Sequence, residues 1–242
     1  MRPGFCLRVA IAAWLFLCGS VTLADDQSPS LTPPPPPPLT IGVFGDSLGD
    51  GVWSGLYTVL KKHPEDHLFR YAKVGAGLTR PDYADWFKEF TQKLDTDHIT
   101  VAVIMFGAND QQSIRDDKQK GHLFQTEGWK QVYAGHVDAI LDELAKRKIK
   151  AIWLGIPILR KEELTKGADY LNQIFESSAK KSGATFLPLV EDFKGPDGNF
   201  ASHLTDSAGH SRQVRADDGI HFTPWGYQLV AEKVYGTLTQ SH

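Results

Sequence analysis

The chain has 242 residues, of which 41% are hydrophobic, and a formal net charge of −3. A chain of this length and composition can bury one substantial core, so we expect one globular domain and exclude wholesale disorder. Acidic and basic residues are mixed along the chain without a basic stripe that could neutralise phosphates, which excludes nucleic acid as an expected partner.

The first 24 residues have the pattern of a secretory signal peptide. Arg2 and Arg8 flank a short charged region, the apolar run VAIAAWLFLCGSV follows, and Ala24 is a small residue at the end of the segment. The apolar run is shorter than the roughly 18 to 20 residues of a membrane-spanning helix. We therefore predict cleavage near Ala24, export to the periplasm and no membrane span in the mature chain, with an uncleaved anchor as the alternative.

The two cysteines of the chain, Cys6 and Cys18, both lie in this segment. A lipoprotein modified at Cys18 is a further alternative, but bulky Phe16 and Leu17 stand where such cleavage sites have small residues. A mature chain that starts after Ala24 has no thiol, so it uses neither disulfides nor a cysteine nucleophile.

Residues 25–38 form a polar segment that ends in an unbroken run of six prolines, Pro33 to Pro38. Such a run favours the extended polyproline II conformation and predicts a semi-rigid spacer; a plain disordered tail is the alternative. We place the folded domain at residues 39–242.

Beyond the prolines, short apolar runs alternate with longer amphipathic stretches. Five runs predict strands: LTIGVF (39–44), FRYAKV (69–74), ITVAVIMF (99–106), KAIWLGIP (150–157) and ATFLPL (184–189). Five stretches predict helices at 53–62, 83–94, 129–148, 162–181 and 224–238. Since parallel neighbours need long crossover connections, this alternation predicts an α/β fold with a five-stranded parallel sheet and helices on both faces.

Polar residues with catalytic potential follow several of the predicted strands. Ser47 follows the first strand, Asn109 follows the third in the sequence GAND, and DDGIHFTPWGY precedes the last helix. Parallel sheets bind ligands beyond the carboxyl ends of their strands. There, His221 can accept the proton of Ser47, a weak nucleophile by itself, while Asp218 orients the imidazole. The adjacent Asp217 complicates the choice of the acid.

A serine that attacks an acyl group also needs donors for the negative oxygen that develops. The backbone N–H groups of Ser47 and Gly77 and the side-chain amide of Asn109 are the candidates for such an oxyanion hole. A serine placed where a strand turns into a helix also benefits from the positive helix N-terminus.

These motifs, G-D-S-L, a glycine loop, G-x-N-D and D-x-x-H in that order, resemble those of the SGNH/GDSL family of serine hydrolases. The resemblance covers Leu39 to the C-terminus and implies a three-layer α/β/α flavodoxin-like fold. It also implies that Ser47, Asp218 and His221 form the triad and that Gly77 and Asn109 belong to the oxyanion hole. The second of these motifs, the glycine loop KVGAGLTRPDY, lacks the Asn or Ser that the family usually has beside the glycine. Gly75 therefore remains an alternative to Gly77 as the oxyanion donor.

Similarity to a secreted proteobacterial branch of the family implies an ester hydrolase without a cofactor. Its expected substrate is a small ester or an acylated glycan, from which it removes O-acyl groups such as acetyl. A carbohydrate O-acetyltransferase with the same triad and a catalytically silent glycan-binding protein remain alternatives. The cell envelope is a candidate source of partners, and the sequence leaves the oligomeric state open.

Three arginines are further candidates for ligand contacts. Arg80 and Arg160 each follow a strand-end loop, and their guanidinium groups suit carboxylates or sugar oxygens, with surface salt bridges as the alternative. Arg215 is a weaker candidate of the same kind, and residues 191–216 predict a lid or binding loop.

The remaining histidines do not indicate a metal site. His136 lies on the apolar face of a predicted helix and is expected in the core, whereas His203 and His210 are expected in solvent. The glycines around Ser47 lack both G-x-G-x-x-G and a Walker lysine, which argues against nucleotide binding.

Overall fold

The computed structural model describes residues 37–239. The predictions for the signal peptide, for both cysteines and for nearly all of the proline spacer lie outside this range. In chain order the elements are β1 (Thr40–Gly45), α1 (Ser47–Val59), β2 (His67–Arg70), α2 (Tyr83–Thr96), β3 (Val101–Met105), β4 (Ile114–Arg115), β5 (Gly121–His122), α3 (Glu127–Lys146), β6 (Lys150–Leu154), α4 (Glu162–Ser182), β7 (Thr185–Leu187), β8 (His203–Thr205), β9 (Ser211–Gln213) and α5 (Pro224–Thr239).

The five predicted strands form one sheet in the order β2-β1-β3-β6-β7. All four strand pairs are parallel, with Ile41 beside Val101 and Val103 beside Ile152 in the register. This order is that of flavodoxin-like folds, in which the chain reverses its direction of winding between the first and third strands. The predicted fold is therefore confirmed, and its switch point lies where β1 and β3 end.

The core consists of two hydrophobic clusters, one on each face of the sheet. β3 contributes Val101, Val103 and Met105 to one cluster and Ala102 and Ile104 to the other. This alternation follows from the two-residue period of a strand. Helices α1 and α5 contribute to the first cluster, and α2, α3 and α4 contribute to the second. The result is the three-layer arrangement expected from the motifs.

Helix α1 begins at Ser47, six residues before the predicted start. Asp46 caps the helix there, and two glycines of α1 pack closely against Tyr227 of α5. A Cβ atom at Gly51 would lie 1.9 Å from the Tyr227 ring, and one at Gly55 would lie 2.2 Å from the Tyr227 carbonyl oxygen. The poor helix propensity of glycine is thus offset by close packing of α1 on α5.

Other boundaries also differ from the predictions. β2 ends at Arg70, although the apolar pattern favoured a strand over 69–74. Two antiparallel hairpins, β4–β5 and β8–β9, were not predicted, and the second lies inside segment 191–216. Their strands have two or three residues each, which is too few to show an alternating pattern of apolar and polar residues. None of the helices in the described range is long and apolar enough to cross a membrane.

Candidate active site

The turn between β1 and α1 places Ser47 at the first position of a helix. Gly45 has φ +152°, and a Cβ atom there would lie 2.0 Å from the carbonyl oxygen of Met105 on β3. Only glycine allows this approach. The Asp46 carboxylate then accepts the N–H of Leu48 at 2.8 Å and caps the helix. Ser47 therefore lies beyond the carboxyl end of β1, at the positive end of α1.

The three predicted triad residues form one hydrogen-bonded chain. His221 Nε2 is 2.8 Å from Ser47 Oγ, and His221 Nδ1 is 2.7 Å from Asp218 Oδ2. An ionised carboxylate can only accept, so Nδ1 carries the proton and Nε2 is free to accept that of the serine hydroxyl. This is the tautomer that a general base for Ser47 requires.

The Asp218 carboxylate is fixed by its own loop. Its Oδ1 accepts the N–H groups of Ile220 and His221 at 2.8 and 2.9 Å. Partial burial opposes ionisation, but the His221 ring and these two N–H groups outweigh it and lower the pKa of Asp218 to about 2. The adjacent Asp217 instead accepts a hydrogen bond from Gln213. Asp218 is therefore the acid that faces His221.

Asp46 also joins the first loop to the third. Its Oδ2 accepts the N–H groups of Gly107 and Ala108 at 3.1 and 2.9 Å. The side chain is fully buried. Burial raises the pKa of Asp46 to about 7, with a contribution from Asp110, while the N–H donors act in the opposite direction. The turn residue beside Ser47 thus also holds the loop that carries Asn109.

The candidate oxyanion donors lie on loops that contact each other. Asn109 Nδ2 donates to the carbonyl oxygen of Ala76 at 2.8 Å. A Cβ atom at Gly77 would lie 2.4 Å from Asp110 Oδ1 and 3.6 Å from Asn109 Cβ. Gly75 has φ +78° and open space where its Cβ would be. The structure therefore packs Gly77 against the Asn109 loop and leaves Gly75 outside this contact.

Asp110 anchors this arrangement, a role that is not predicted above. It is fully buried and accepts hydrogen bonds from the backbone and hydroxyl of Thr79, at 3.2 and 3.0 Å, and from the Tyr133 hydroxyl at 2.8 Å. Burial raises its pKa. The available signal was the acidic residue that ends the GAND motif, directly after Asn109.

The three arginines considered as ligand contacts have different surroundings. Arg80 is exposed and donates to Asp82 and to the Gly75 carbonyl. Arg160 donates to the carbonyl oxygen of Asp217, and its backbone N–H donates to that of Gly219 at 3.0 Å. Arg215, the weakest of the three candidates, is fully buried. The structure thus places the side chains of Arg160 and Arg215 against the loop that carries Asp218 and His221.

A polar cavity of about 420 Å³ lies beside the loops that carry Gly77 and Asn109. Thr79 and Arg80 contribute one wall and Gln112, whose side chain donates to the Asn109 carbonyl at 2.6 Å, contributes another. The rest of the lining comes mainly from the N-terminal turn of α2 and the β4–β5 hairpin. Half-buried His136 also lines it, donating Nδ1–H to the Leu78 carbonyl and stacking on Tyr83. The cavity is large enough for a ligand group.

His203 and His210 are exposed, as predicted. Within residues 37–239, no three His, Cys, Asp or Glu side chains are close enough together to hold a metal ion.

The fold is that of the SGNH hydrolases, a class of serine ester hydrolases. Two solved structures illustrate the likeness. A GDSL-like lipase from Bacteroides thetaiotaomicron VPI-5482 is 13% identical, with a TM-score of 0.58 over 84% of this chain and 89% of the other. A variant of an acetylxylan esterase from Geobacillus stearothermophilus is 14% identical, with a TM-score of 0.57 over 80% and 91%.

Residues 40–237 match the family model described as "Protein of unknown function (DUF459)". The chain belongs to this family. The comparison with curated proteins gave no match.

Proposed function

We propose that this protein is a serine ester hydrolase whose triad is Ser47, His221 and Asp218. The observation that carries the proposal is the continuous hydrogen-bonded chain from Ser47 Oγ through the His221 ring to Asp218. Ser47 Oγ attacks the ester carbonyl carbon while His221 Nε2 takes its proton, and the ionised Asp218 stabilises the imidazolium. His221 then returns the proton to the departing alcohol.

The resulting acyl-enzyme is hydrolysed by water, with His221 acting again as the base. In both steps the negative oxygen binds the N–H groups of Ser47 and Gly77 and the side-chain amide of Asn109. No cofactor takes part in this sequence. The contact of the Gly77 loop with Asn109 supports Gly77, in preference to Gly75, as the second backbone donor.

The proposed substrates are O-acyl esters, in particular acetyl esters, of a carbohydrate or peptidoglycan-type carrier. The polar cavity beside the Gly77 and Asn109 loops supports a carrier rich in hydroxyl groups, for which the exposed Arg80 supplies N–H donors. One structural neighbour is itself described as an acetylxylan esterase. The predicted signal peptide at residues 1–24 would bring the enzyme to the periplasm, where envelope glycans are available.

The test is a panel of chromogenic esters from acetate to long acyl chains, run beside acetylated glycans. Ser47→Ala is expected to abolish both hydrolysis and labelling by a fluorophosphonate probe. Ser54→Ala is the matched control because Ser54 lies exposed on the same helix. Unchanged turnover in the Ser47 variant would exclude the assignment. An assay that contains both an acetyl donor and a glycan acceptor distinguishes the two reactions, because hydrolysis releases acetate and acetyl transfer yields an acetylated glycan.

A further inference from the structure

Arg215 is a buried cation with an unusual set of partners. Its side chain is fully shielded from solvent, and in the described part of the chain no carboxylate forms a salt bridge with it. Burial lowers the pKa of Arg215 to about 10, so the guanidinium stays charged at neutral pH. A buried charge is costly unless it is well hydrogen-bonded. The partners of Arg215 should therefore indicate why the charge is there.

Those partners are three backbone carbonyl oxygens from two loops. Nη1 donates to Ile158 at 2.7 Å, in the loop after β6. Nη2 donates to Ile220 at 2.7 Å, and Nε donates to His221 itself at 3.3 Å. A planar guanidinium has donors at fixed angles and can serve three carbonyls at once, which a lysine ammonium cannot match in this geometry. Arg215 thus joins the backbone of the proposed catalytic base to the loop after β6.

Aromatic rings and a second arginine complete the arrangement. The Arg215 guanidinium lies 4.5 Å from the Phe222 ring centre and 5.2 Å from that of Phe200. The Arg160 guanidinium lies 5.2 Å from the same Phe200 ring. Since Arg160 also donates to Asp217 and Gly219, the two arginines together bind four carbonyl groups of the loop that carries Asp218 and His221. Phe200 comes from segment 191–216, for which a lid or binding role was predicted.

We propose that Arg215 is a positioning residue that holds the His221 backbone where the imidazole reaches Ser47, with Phe200 and Arg160 keeping the guanidinium and the loop in place. This role rests on the proposed triad. It assigns Phe200, in the interior of segment 191–216, to the support of the catalytic loop. The short hydrogen bonds of His221 to both Ser47 and Asp218 require such support, because a displacement of about 1 Å can cost on the order of 10² in rate.

The test compares Arg215→Lys with Arg212→Lys. Arg212 is a matched control because it is an exposed arginine on the β8–β9 hairpin that also stacks on an aromatic ring, that of Trp225 at 4.4 Å. For a small chromogenic acetate, Arg215→Lys is expected to lower kcat by about 10²-fold with KM changed less than about twofold. Arg212→Lys should leave both constants unchanged. Thermal unfolding of each variant is followed by circular dichroism.

A folded Arg215→Lys protein with wild-type kcat would overturn the proposal, even if its melting temperature falls, because Arg215 would then only stabilise the fold. If that variant does not fold, Phe200→Leu replaces it: a lower kcat at unchanged KM supports the role, and an unchanged kcat overturns it. Wild-type protein that neither hydrolyses esters nor reacts with the fluorophosphonate would instead refute the proposed function.

Discussion

The Asn109 side chain donates one amide N–H to the carbonyl oxygen of Ala76, at 2.8 Å. A side-chain amide has two such hydrogens, so the first fixes the orientation of the group and the second is available for the proposed oxyanion. This contact also joins the loop after β3 to the loop that contains Gly77. The amide is thus held in position before any substrate binds, as an efficient oxyanion donor requires.

Removing this amide should therefore reduce turnover. We expect Asn109→Ala to lower kcat for a chromogenic acetate by on the order of 10² to 10³, with little change in KM. Asn199→Ala is the control, since Asn199 is exposed and bonds to Asp197. Steady-state kinetics of the two variants provide the measurement. A loss below about threefold would remove Asn109 from the oxyanion hole.

Alanine substitutions should separate Gly77 from Gly75. At Gly77 the added Cβ would lie 2.4 Å from Asp110 Oδ1, so Gly77→Ala should displace the donor loop and abolish most ester hydrolysis. At Gly75 the Cβ meets no atom within 4 Å, but φ is +78°. Gly75→Ala should therefore cost about 1 to 2 kcal/mol of folding free energy, with activity retained. The reverse result, an active Gly77 variant and an inactive Gly75 variant, would reassign the donor.

Two adjacent aspartates allow a paired test of the triad acid. We expect Asp218→Asn to lower kcat by about 10⁴, because an amide in place of the carboxylate no longer favours the His221 tautomer that accepts from Ser47. Asp217→Asn should have little effect, since Asp217 bonds to Gln213 and not to the imidazole. Rates for both variants are measured on the same acetate ester. Equal losses at the two positions would contradict the assignment.

The buried Asp46 predicts a pH dependence of stability. Its pKa is raised to about 7 in the folded state, so the folded protein binds this proton more tightly than the unfolded chain does. The free energy of unfolding should therefore fall as pH rises between about 4 and 7, by at most about 1.4 kcal/mol per pH unit, and then level off.

Asp46→Asn should remove the contribution of Asp46 to the pH dependence of the free energy of unfolding. Asp110, whose pKa is also raised by burial, remains to titrate in the variant. The measurement is urea unfolding between about pH 5 and 8 for wild type, for Asp46→Asn and for the exposed control Asp117→Asn. Parallel curves for wild type and Asp46→Asn would show that Asp46 stays ionised across this range.

Strong apolar runs made the sheet predictable. Strands such as VAVIM on β3 are buried on both faces, and their continuous apolarity distinguishes them from the helices around them. The start of α1 was not predictable in the same way. Its glycines oppose helix formation locally, and only the contact with Tyr227 on α5 compensates for them.

The residues of the proposed triad could be named from motifs, but the groups that hold them could not. Asp110 and Arg215 are charged side chains in polar stretches, where exposure is the usual outcome. Their burial depends on partners distant in sequence, such as Tyr133 and Ile158. Long-range contacts of this kind leave no periodic pattern along the chain.

The packing of α1 on α5 has a consequence for the chemistry. Helix α1 starts with Ser47, and α5 starts three residues after His221. Gly51 and Gly55 let the two helices approach at Tyr227 more closely than any side chain would allow. The separation of Ser47 from His221 is therefore set partly by an interhelical spacing one to two turns away. A designer who grafts this triad onto another scaffold must reproduce that spacing as well as the three residues.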